Sequence, residues 1–470
     1  MKKIVTMILV LAMALSLCAC AGGGEGDSAK VEGLQVGFGR ENITPNDSVP
    51  LGGYGDTDKR MSTGYLDYLY ATCVAVTDGK ETVLFITQDL INSSQVKTVR
   101  NEVSKATGIP DDHIMLSATH THSGPDQGND QPVIGAWKTL YLTAMVKAAE
   151  AALADVSPAQ MSVGRTDVEG MNFVRHYLMS DGTYAGSNFG TFDGLDIVDH
   201  AEEKDPEMQM IKFTRAAEDK KDILMVNWQA HPCVTGGNKE TVISADFVGS
   251  TRTYVESNSD NLFIYFTGAA GNQNTSSKIA GEEPPQDYYI YGQMLGDYVL
   301  NLAENLTSVE NGDVKLTKND FVGQVNHEME DKMDQALEVQ ELYKATDRAT
   351  GNKLAREYGF SSVYHCNAII KRSSMDATSI LPLYAISIGD SVSFVTAPYE
   401  MFAAHSMYIK ENTPFDMTFV LAVSNGSNGY IPTNKAFDYR CYESDTGKFA
   451  RGTGDLLVEE FIKMLTELKG

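Results

Sequence analysis

Residues 113–125 read HIMLSATHTHSGP and join the pattern of a buried strand to a polar loop. The apolar run 113–118 predicts a strand, and the loop after it carries His120 and His122 before a Gly-Pro pair. Because residues two apart in an extended segment point the same way, both imidazoles could face one metal ion. The alternative is a pair of structural loop histidines, and this stretch alone does not separate the two.

A third histidine, His231, also follows an apolar run, residues 223–228. The chain has nine histidines, and the placement of three of them after predicted strands favours a metal site over isolated structural residues. Cys233 could add a thiolate, although packing near the site is the simpler interpretation. Together these residues indicate a metal-dependent hydrolase.

Apolar runs alternate with helical patterns along the chain, which predicts an α/β fold with a mixed β-sheet core flanked by helices. The helical patterns cover residues 94–106 and 137–153, and the strand patterns cover residues 72–77, 82–87, 113–118, 223–228, 262–267, 392–396 and 419–423. Residues 325–358 are charged and helical in pattern, and we expect a lid or surface excursion there. No linker or repeat interrupts residues 34–470, which we predict to form a single catalytic domain.

Polar groups follow five of the predicted strands, and side chains beyond the carboxyl ends of such strands share one crevice. His120, His231, the Gly-rich run 268–274, Glu400 and Tyr430 each hold such a position. We therefore expect the metal site at the carboxyl ends of the strands. From spacing alone, Glu400 is better explained as a charge at a helix N-terminus, and Tyr430 as a packed residue in a turn.

Residues 1–19 have the pattern of an export signal, because Lys2 and Lys3 precede an apolar run that is too short to span a membrane. The sequence around Cys20 is similar to a bacterial lipobox, which implies lipidation of Cys20 and a flexible tether over residues 20–33. We expect an exported protein, anchored by its lipid to the membrane at the bacterial cell surface. The alternative is an ordinary secretory signal with incidental cysteines.

The net charge of −25 argues against nucleic acid as a partner, because nucleic-acid binding needs basic patches. It also argues against docking on anionic lipid headgroups, so we expect membrane contact only through the N-terminal lipid. Six cysteines in 470 residues indicate no disulfide scaffold, and the pairing of Cys366 with Cys441 stays open.

Several motifs resemble those of the neutral/alkaline (non-lysosomal) ceramidases and follow the family's order. They are residues 36–45, 51–54, 119–125, 172–175, 230–232, 244–249, 429–433 and 440–443. The resemblance implies one zinc ion with four protein ligands, which are His120, His231, Glu400 and Tyr430.

The same resemblance assigns roles to three further residues. His122 would transfer or orient a proton, and Arg175 and Tyr442 would stabilise the tetrahedral oxyanion. The implied function is that of a zinc-dependent amidohydrolase acting on linear amides, which cleaves an N-acyl, ceramide-like substrate by a zinc-activated water. The alternatives are a zinc esterase or amidase acting on small non-lipid substrates, and a non-catalytic surface-binding lipoprotein.

Two differences from the family pattern bear on the substrate. Residues 270–274 lack the serine of the ceramidases, and Gly271 stands at about its place. The sequence given ends at Gly470, soon after the Tyr442 motif, without the C-terminal immunoglobulin-like domain of the full-length enzymes.

Overall fold

The computed structural model describes residues 33–55, 60–236 and 241–470. The predicted export signal, Cys20 and residues 20–32 of the predicted tether lie outside these ranges. Gly33–Gly470 form one compact unit.

The first part of this unit alternates strands with four helices. The helices are α1 (Val96–Thr107), α2 (Pro132–Ala154), α3 (Asp246–Asn258) and α4 (Tyr288–Ala303). The strands are β1 (Gln35–Asn42), β2 (Gly64–Tyr65), β3 (Tyr70–Thr77), β4 (Thr82–Gln88), β5 (Ile114–Ala118), β6 (Ser157–Asp167), β7 (Phe173–Val174), β8 (His176–Met179), β9 (Tyr184–Gly186), β10 (Ile197–His200), β11 (Glu207–Arg215), β12 (Asp222–Trp228), β13 (Val242–Ile243), β14 (Asn261–Thr267), β15 (Gln273–Asn274) and β16 (Thr307–Val309).

The second part supplies a smaller sheet and the remaining helices. Its strands are β17 (Val314–Gln324), β18 (Thr378–Ile388), β19 (Val392–Thr396), β20 (Glu400–Met401), β21 (Met417–Leu421) and β22 (Tyr430–Ile431). Its helices are α5 (Met333–Ala345), α6 (Arg348–Glu357), α7 (Val363–Arg372), α8 (Ala403–Asn412), α9 (Asn434–Tyr439), α10 (Tyr442–Thr446) and α11 (Thr453–Lys469).

Two mixed sheets stack face to face between two layers of helices. The larger sheet has the order β14-β12-β11-β6-β1-β3-β4-β5, with β16 paired to β6, and the smaller has the order β17-β18-β19-β21. Alternate residues of each strand face opposite sides, so the apolar runs bury both faces. The predicted mixed α/β architecture is confirmed, and the structure adds the second sheet.

The core follows from this layering. Phe85 and Phe266 of the large sheet pack with Phe394 of the small sheet in the space between them. Helices α1 and α2 cover one part of the large sheet's outer face, and α3 and α4 cover another. Helices α8 and α11 cover the outer face of the small sheet.

The carboxyl ends of strands from both sheets are bonded to one another. The Asn425 side chain accepts the N–H of Leu116 in β5 at 2.9 Å, and the backbone N–H of Asn425 donates to the carbonyl of Leu116 at 2.7 Å. The N–H of Ala422, after β21, donates to the carbonyl of Thr267, the last residue of β14, at 2.9 Å. This edge of the molecule carries the polar loops predicted to form the site.

Three details add to or differ from the sequence expectations. The helical pattern of residues 325–358 is divided between two short helices, α5 and α6, which pack with α7 around a small apolar core that includes Phe360 and Cys366. Helix α2 begins at Pro132, five residues before the predicted start, because proline fits the first turn of a helix. The predicted strand 419–423 lies two residues earlier, at Met417–Leu421.

Within the described residues, Cys73, Cys233, Cys366 and Cys441 are free thiols. The open question of a Cys366–Cys441 bond is therefore answered in the negative. None of the helices in this part of the chain combines the length and apolarity that crossing a membrane requires.

Candidate active site

The loop after β5 turns sharply at His120. Its φ of 69° is left-handed, so residues 119–122 are not extended as the strand pattern suggested. The rings of His120 and His122 nevertheless lie 5.2 Å apart, because the turn rather than strand alternation brings them to one side. The His120 N–H donates to the carbonyl of Leu90 at 3.0 Å, which fixes this turn against the end of β4.

Two imidazoles and one carboxylate converge on a single point. His120 Nε2 lies 3.3 Å from His231 Nε2, and Glu400 Oε2 lies 3.1 Å from the first and 3.3 Å from the second. His120 and His231 are 3% and 1% exposed. The structure thus brings together three of the four predicted ligands from three distant loops.

The protonation of these imidazoles follows from their outer nitrogens. His120 Nδ1 lies 2.6 Å from the carbonyl of Ile91, and His231 Nδ1 lies 2.6 Å from the carbonyl of Ala270. A carbonyl oxygen only accepts, so both Nδ1 atoms carry a proton and each ring turns its Nε2 inward. Backbone carbonyls that orient metal-ligating histidines in this way are a recurring feature of zinc sites.

The charge states of His231 and Glu400 follow from their surroundings. Burial and the nearby Arg175 lower the pKa of His231 to about 4, so its ring is neutral at neutral pH. Burial raises the pKa of Glu400, but His120 and His231 lower it more, so the carboxyl has a pKa well below its usual value and is ionised. Glu400 Oε2 is buried and receives no hydrogen bond from the described residues.

These observations test whether the residues fit a metal ion. The Nε2 lone pair of the neutral His231 ring and the ionised Glu400 carboxylate lie 3.3 Å apart, and they repel one another unless a cation lies between them. Ligands about 2.0–2.1 Å from a tetrahedral zinc ion would be about 3.3–3.4 Å apart, which matches the spacing here. The donor set of two imidazoles and a carboxylate therefore fits zinc.

Tyr430 lies beside this set. Strands β20 and β22 pair in parallel with Glu400 opposite Tyr430, and the Tyr430 ring stacks on that of His231 with centroids 6.5 Å apart. Burial and the adjacent Glu400 raise the pKa of the Tyr430 phenol well above its usual value. The structure therefore places Tyr430 next to the three convergent ligands, as a neutral phenol.

His122 faces the same space but makes different contacts. Both of its ring nitrogens are buried without a hydrogen-bond partner among the described residues. Burial, with His120 and His231 nearby, holds its pKa well below the ordinary value. A neutral imidazole with one free N–H and one free lone pair suits proton transfer or orientation of a reacting group.

The backbone of Gly53 packs closely against the His122 ring. Its φ is 98°, and a Cβ built there would lie 2.6 Å from His122 Cγ. No side chain fits in that contact, so glycine is required both by the backbone angle and by the close approach of the ring.

We expect Gly53→Ala to displace His122 and lower kcat by about 10- to 100-fold, because small misplacements of a catalytic group carry penalties of this size. Metal content should stay at the wild-type value. Gly182→Ala is the matched control, since Gly182 has φ 85° and open space around its Cβ position. Equal kcat in the two variants would show that His122 does not need its present position.

Arg175 reaches the site from the loop between β7 and β8. Its Nε and Nη2 atoms donate to Glu443 Oε1 at 2.8 and 2.5 Å, and Nη2 donates to the carbonyl of Gly271 at 2.9 Å. The other Glu443 oxygen lies 2.9 Å from His176 Nε2, and Glu443 and His176 are both 1% exposed. His176 Nδ1 in turn contacts the Tyr439 hydroxyl at 2.8 Å.

The group formed by His176, Cys441 and Glu443 has the spacing of a metal site, since its ligand atoms lie within 4.8 Å of one another. Arg175, however, already neutralises this carboxylate with two hydrogen bonds. A cation here would repel the buried guanidinium. We therefore interpret this group as a support that holds Arg175.

Tyr442 lies between the site and helix α7. Its ring meets Tyr430 edge to face at 6.0 Å, and Tyr364 of α7 meets it at the same distance on another side. Burial and the neighbouring Glu443 raise the pKa of Tyr442 to about 12, so its hydroxyl keeps its proton and can donate.

In the Gly-rich loop after β14, the backbone N–H groups of Gly268, Ala270, Gly271 and Gln273 are bonded to backbone carbonyls. This loop orients His231, through the carbonyl of Ala270 and a bond from the His231 N–H to the carbonyl of Gln273 at 2.9 Å. A Cβ at Gly271 would lie 2.7 Å from the carbonyl oxygen of Met401. No serine could occupy this position without moving the backbone that carries Glu400.

Sequence reasoning missed four residues that act on the site through their neighbours. Glu443 was visible only as part of the motif 440–443, and nothing in the sequence linked it to Arg175. The other three are His176, Gly53 and Tyr364. They were missed because their roles depend on contacts across the fold rather than on any local pattern.

Comparisons with known proteins identify the family and the fold. Residues 34–267 match the family model described as neutral/alkaline non-lysosomal ceramidase, N-terminal. The fold matches the crystal structure of neutral ceramidase from Pseudomonas aeruginosa with a TM-score of 0.69 at 16% identity, covering 93% of this chain and 75% of that one. A structure described as ceramidase complexed with C2 gives the same TM-score and coverage at 15% identity. The chain belongs to the neutral/alkaline non-lysosomal ceramidase family.

Proposed function

We propose that the protein is a zinc-dependent amidohydrolase that cleaves the amide bond of an N-acyl, ceramide-like substrate. The observation that carries the proposal is the convergence of His120 Nε2, His231 Nε2 and Glu400 Oε2 at separations of 3.1–3.3 Å, with the Nδ1 of each imidazole bonded to a backbone carbonyl. Tyr430 is the proposed fourth ligand. Bound zinc would lower the pKa of a coordinated water towards neutrality and supply a nucleophile.

The protein groups around the ligands would serve the remaining needs of amide cleavage. The carbonyl oxygen of a substrate becomes negative during attack, and donors aimed at it are worth several kcal/mol. Arg175 Nη1 donates to Asn274 Oδ1 over a long contact of 3.4 Å, and the guanidinium also interacts with the Tyr430 side chain beside the candidate ligands, so Arg175 would be one donor to that oxygen. The Tyr442 hydroxyl would be the second donor.

The leaving amine needs a proton before it departs. His122 is the proposed group for this transfer, because its two ring nitrogens have no partner among the described residues and its ring adjoins those of His120 and His231. Proton transfer by a positioned side chain typically contributes 10²–10⁴-fold.

The test is to measure metal content and hydrolysis together on the purified protein. We expect about one zinc per chain, hydrolysis of ceramide or of shorter N-acyl amines, loss of that activity on removal of the metal by a chelator, and recovery when zinc is added back. A metal-free protein that hydrolyses amides at full rate, or a zinc-loaded one that hydrolyses no acyl substrate, would contradict the proposal.

We further propose that the protein is exported and held at the bacterial cell surface by a lipid on Cys20. The support is the lipobox-like sequence that ends at this residue. We expect Cys20→Ala to move the protein from the detergent phase to the aqueous phase in a detergent-partitioning experiment. Cys18→Ala is the control, and it should leave partitioning as in the unmodified sequence. Equal partitioning of the Cys20 variant and the unmodified protein would exclude this anchor.

A further inference from the structure

The motif 244–249 forms the start of helix α3 and contacts the loop that carries the first two candidate histidines. The backbone N–H of Ser244 donates to the carbonyl of Ser123 at 3.0 Å, and the Thr121 hydroxyl donates to the carbonyl of Ser244 at 2.7 Å. These two bonds lie on either side of His122 in the chain. The residues that open α3 are therefore bonded to the loop between β5 and α2.

Asp246, the first residue of α3, is bonded to the loop after the third histidine. Its carboxylate accepts the backbone N–H and the hydroxyl of Thr235 at 2.8 and 2.7 Å, and the backbone N–H of Val234 at 3.3 Å. Asp246 is fully buried and has a left-handed φ of 58°. A non-glycine residue keeps such a conformation only where the surrounding contacts hold it. The start of α3 is thus fixed against the residues that follow His231.

Arg252 lies six residues further along α3 and forms a buried ion pair with Asp89. Its Nη2 atom donates to both carboxylate oxygens of Asp89, at 2.7 and 2.8 Å, and the two residues are 6% and 1% exposed. Asp89 also accepts the backbone N–H of Tyr70 at 2.8 Å, and its own N–H donates to the Tyr70 carbonyl at 3.0 Å. These bonds fix the chain directly after β4.

The two residues that follow Asp89 hold His120. The carbonyl of Leu90 accepts the backbone N–H of His120 at 3.0 Å, and the carbonyl of Ile91 accepts the Nδ1 proton of its ring at 2.6 Å. Loss of Arg252 would leave the Asp89 carboxylate buried without the cation that bonds to it. We expect this segment to shift in response, and the carbonyls that orient the His120 ring to shift with it.

We infer that helix α3 sets the relative positions of His120 and His231, with Arg252 and Asp246 as its two positioning residues. The inference rests on the proposed function, because the site that these histidines form is the proposed zinc site. Zinc sites keep their ligand distances within about 0.2 Å, so one helix bonded to both loops would fix the spacing that the ion needs. Groups that orient metal ligands from outside are worth about 10- to 100-fold in metal affinity.

The zinc affinity of Arg252→Met tests the first contact. Methionine is apolar and removes the charge, so we expect the zinc Kd, measured by competition with a chelator, to rise about 10- to 100-fold. Arg215→Met is the matched control, because Arg215 is 7% exposed and pairs with Asp155 at the end of the large sheet away from the site. The zinc Kd of this control should stay at the wild-type value.

A double variant keeps the test decisive if Arg252→Met does not fold. Arg252→Met with Asp89→Asn leaves no unpaired buried charge and should fold, and it should still raise the zinc Kd because the bonds from α3 to the residue after β4 are lost. A wild-type Kd in the folded double variant would show that the inference is wrong while the proposed function stands. A wild-type protein that binds no zinc would end the proposed function, and the inference with it.

Asp246→Asn tests the second contact. Asparagine offers one acceptor oxygen instead of two, so the bonds to Thr235 or to Val234 are lost, and we expect the zinc Kd to rise about tenfold. Asp347→Asn is the control, because Asp347 likewise accepts the N–H and the hydroxyl of one threonine, Thr350, at the start of α6. Unchanged zinc affinity in the folded Asp246 variant would contradict the inference, which requires both contacts.

Discussion

Replacement of His231 by alanine will abolish both stoichiometric zinc binding and amide hydrolysis. His231 contributes a neutral, inward-facing Nε2 within 3.3 Å of both His120 Nε2 and Glu400 Oε2, so its loss removes one of the four proposed zinc ligands. Metal polarisation supplies several kcal/mol of the rate enhancement, so we expect kcat to fall by at least about a thousandfold. Zinc content by elemental analysis and kcat on an N-acyl amine are the two measurements.

A thermal shift separates this effect from misfolding. Zinc that binds only the folded protein raises its melting temperature, and it should raise that of the wild type but not that of His231→Ala. His327→Ala is the matched control, because His327 is a partly exposed histidine that pairs with Glu330 at 2.6 Å outside the site. Full zinc content and activity in a folded His231→Ala protein would remove the proposed metal centre.

The second large effect is expected at a residue that touches neither the ligands nor, in our proposal, the substrate. Glu443→Gln should lower kcat by roughly 10²–10³-fold, as loss of an oxyanion donor does, while zinc content stays unchanged. Glu443 holds Arg175 through bonds to Nε and Nη2, and the glutamine removes the charge that fixes the guanidinium. Breaking a buried pair also destabilises proteins, by about 3–5 kcal/mol, so the free energy of unfolding must be measured beside kcat.

A double variant tests whether Glu443 acts through Arg175. If Glu443 only positions Arg175, then Arg175→Ala with Glu443→Gln should have the same kcat as Arg175→Ala alone. Glu256→Gln is the control, because Glu256 forms a similar two-bond pair with Arg40 away from the site, at 2.8 and 2.9 Å. Fully additive losses in the double variant, or wild-type kcat in a folded Glu443→Gln protein, would contradict the positioning role.

Most strands and the first helices could be predicted from sequence because their signals are local. The hairpin of β3 and β4, joined across Asp78 and Gly79, follows from two apolar runs and a turn, and the structure pairs them antiparallel. Helix α1 ends at Gly108, which adopts φ 76° as a helix-terminating glycine does. Within residues 325–358, the short helices α5 and α6 could not be separated from one another, because their charged sequence carries helical periodicity without clear breaks.

The residues of the candidate site likewise divide into those that local sequence patterns indicated and those that they did not. His120 and His231 were identifiable because each follows an apolar run that forms a buried strand. From spacing alone, Glu400 had a second explanation, the helix α8 that begins at Ala403; the family resemblance implied a ligand there, and the structure places its carboxylate 3.1 Å from His120 Nε2. Glu443 belonged to the motif 440–443, but nothing in the sequence linked it to Arg175, because the two residues lie 268 positions apart in the chain.

The sequence alone therefore determined the alternation of strands and helices and the polar groups at the strand ends, since hydrophobic periodicity and turn residues act over a few neighbouring positions. Only the tertiary structure decided which of those groups meet. Two sheets stack and bond at their carboxyl ends, through contacts such as that of Asn425 with Leu116, and this brings the loops after β5, β12 and β19 together. That meeting depends on packing between segments hundreds of residues apart, which no local pattern encodes.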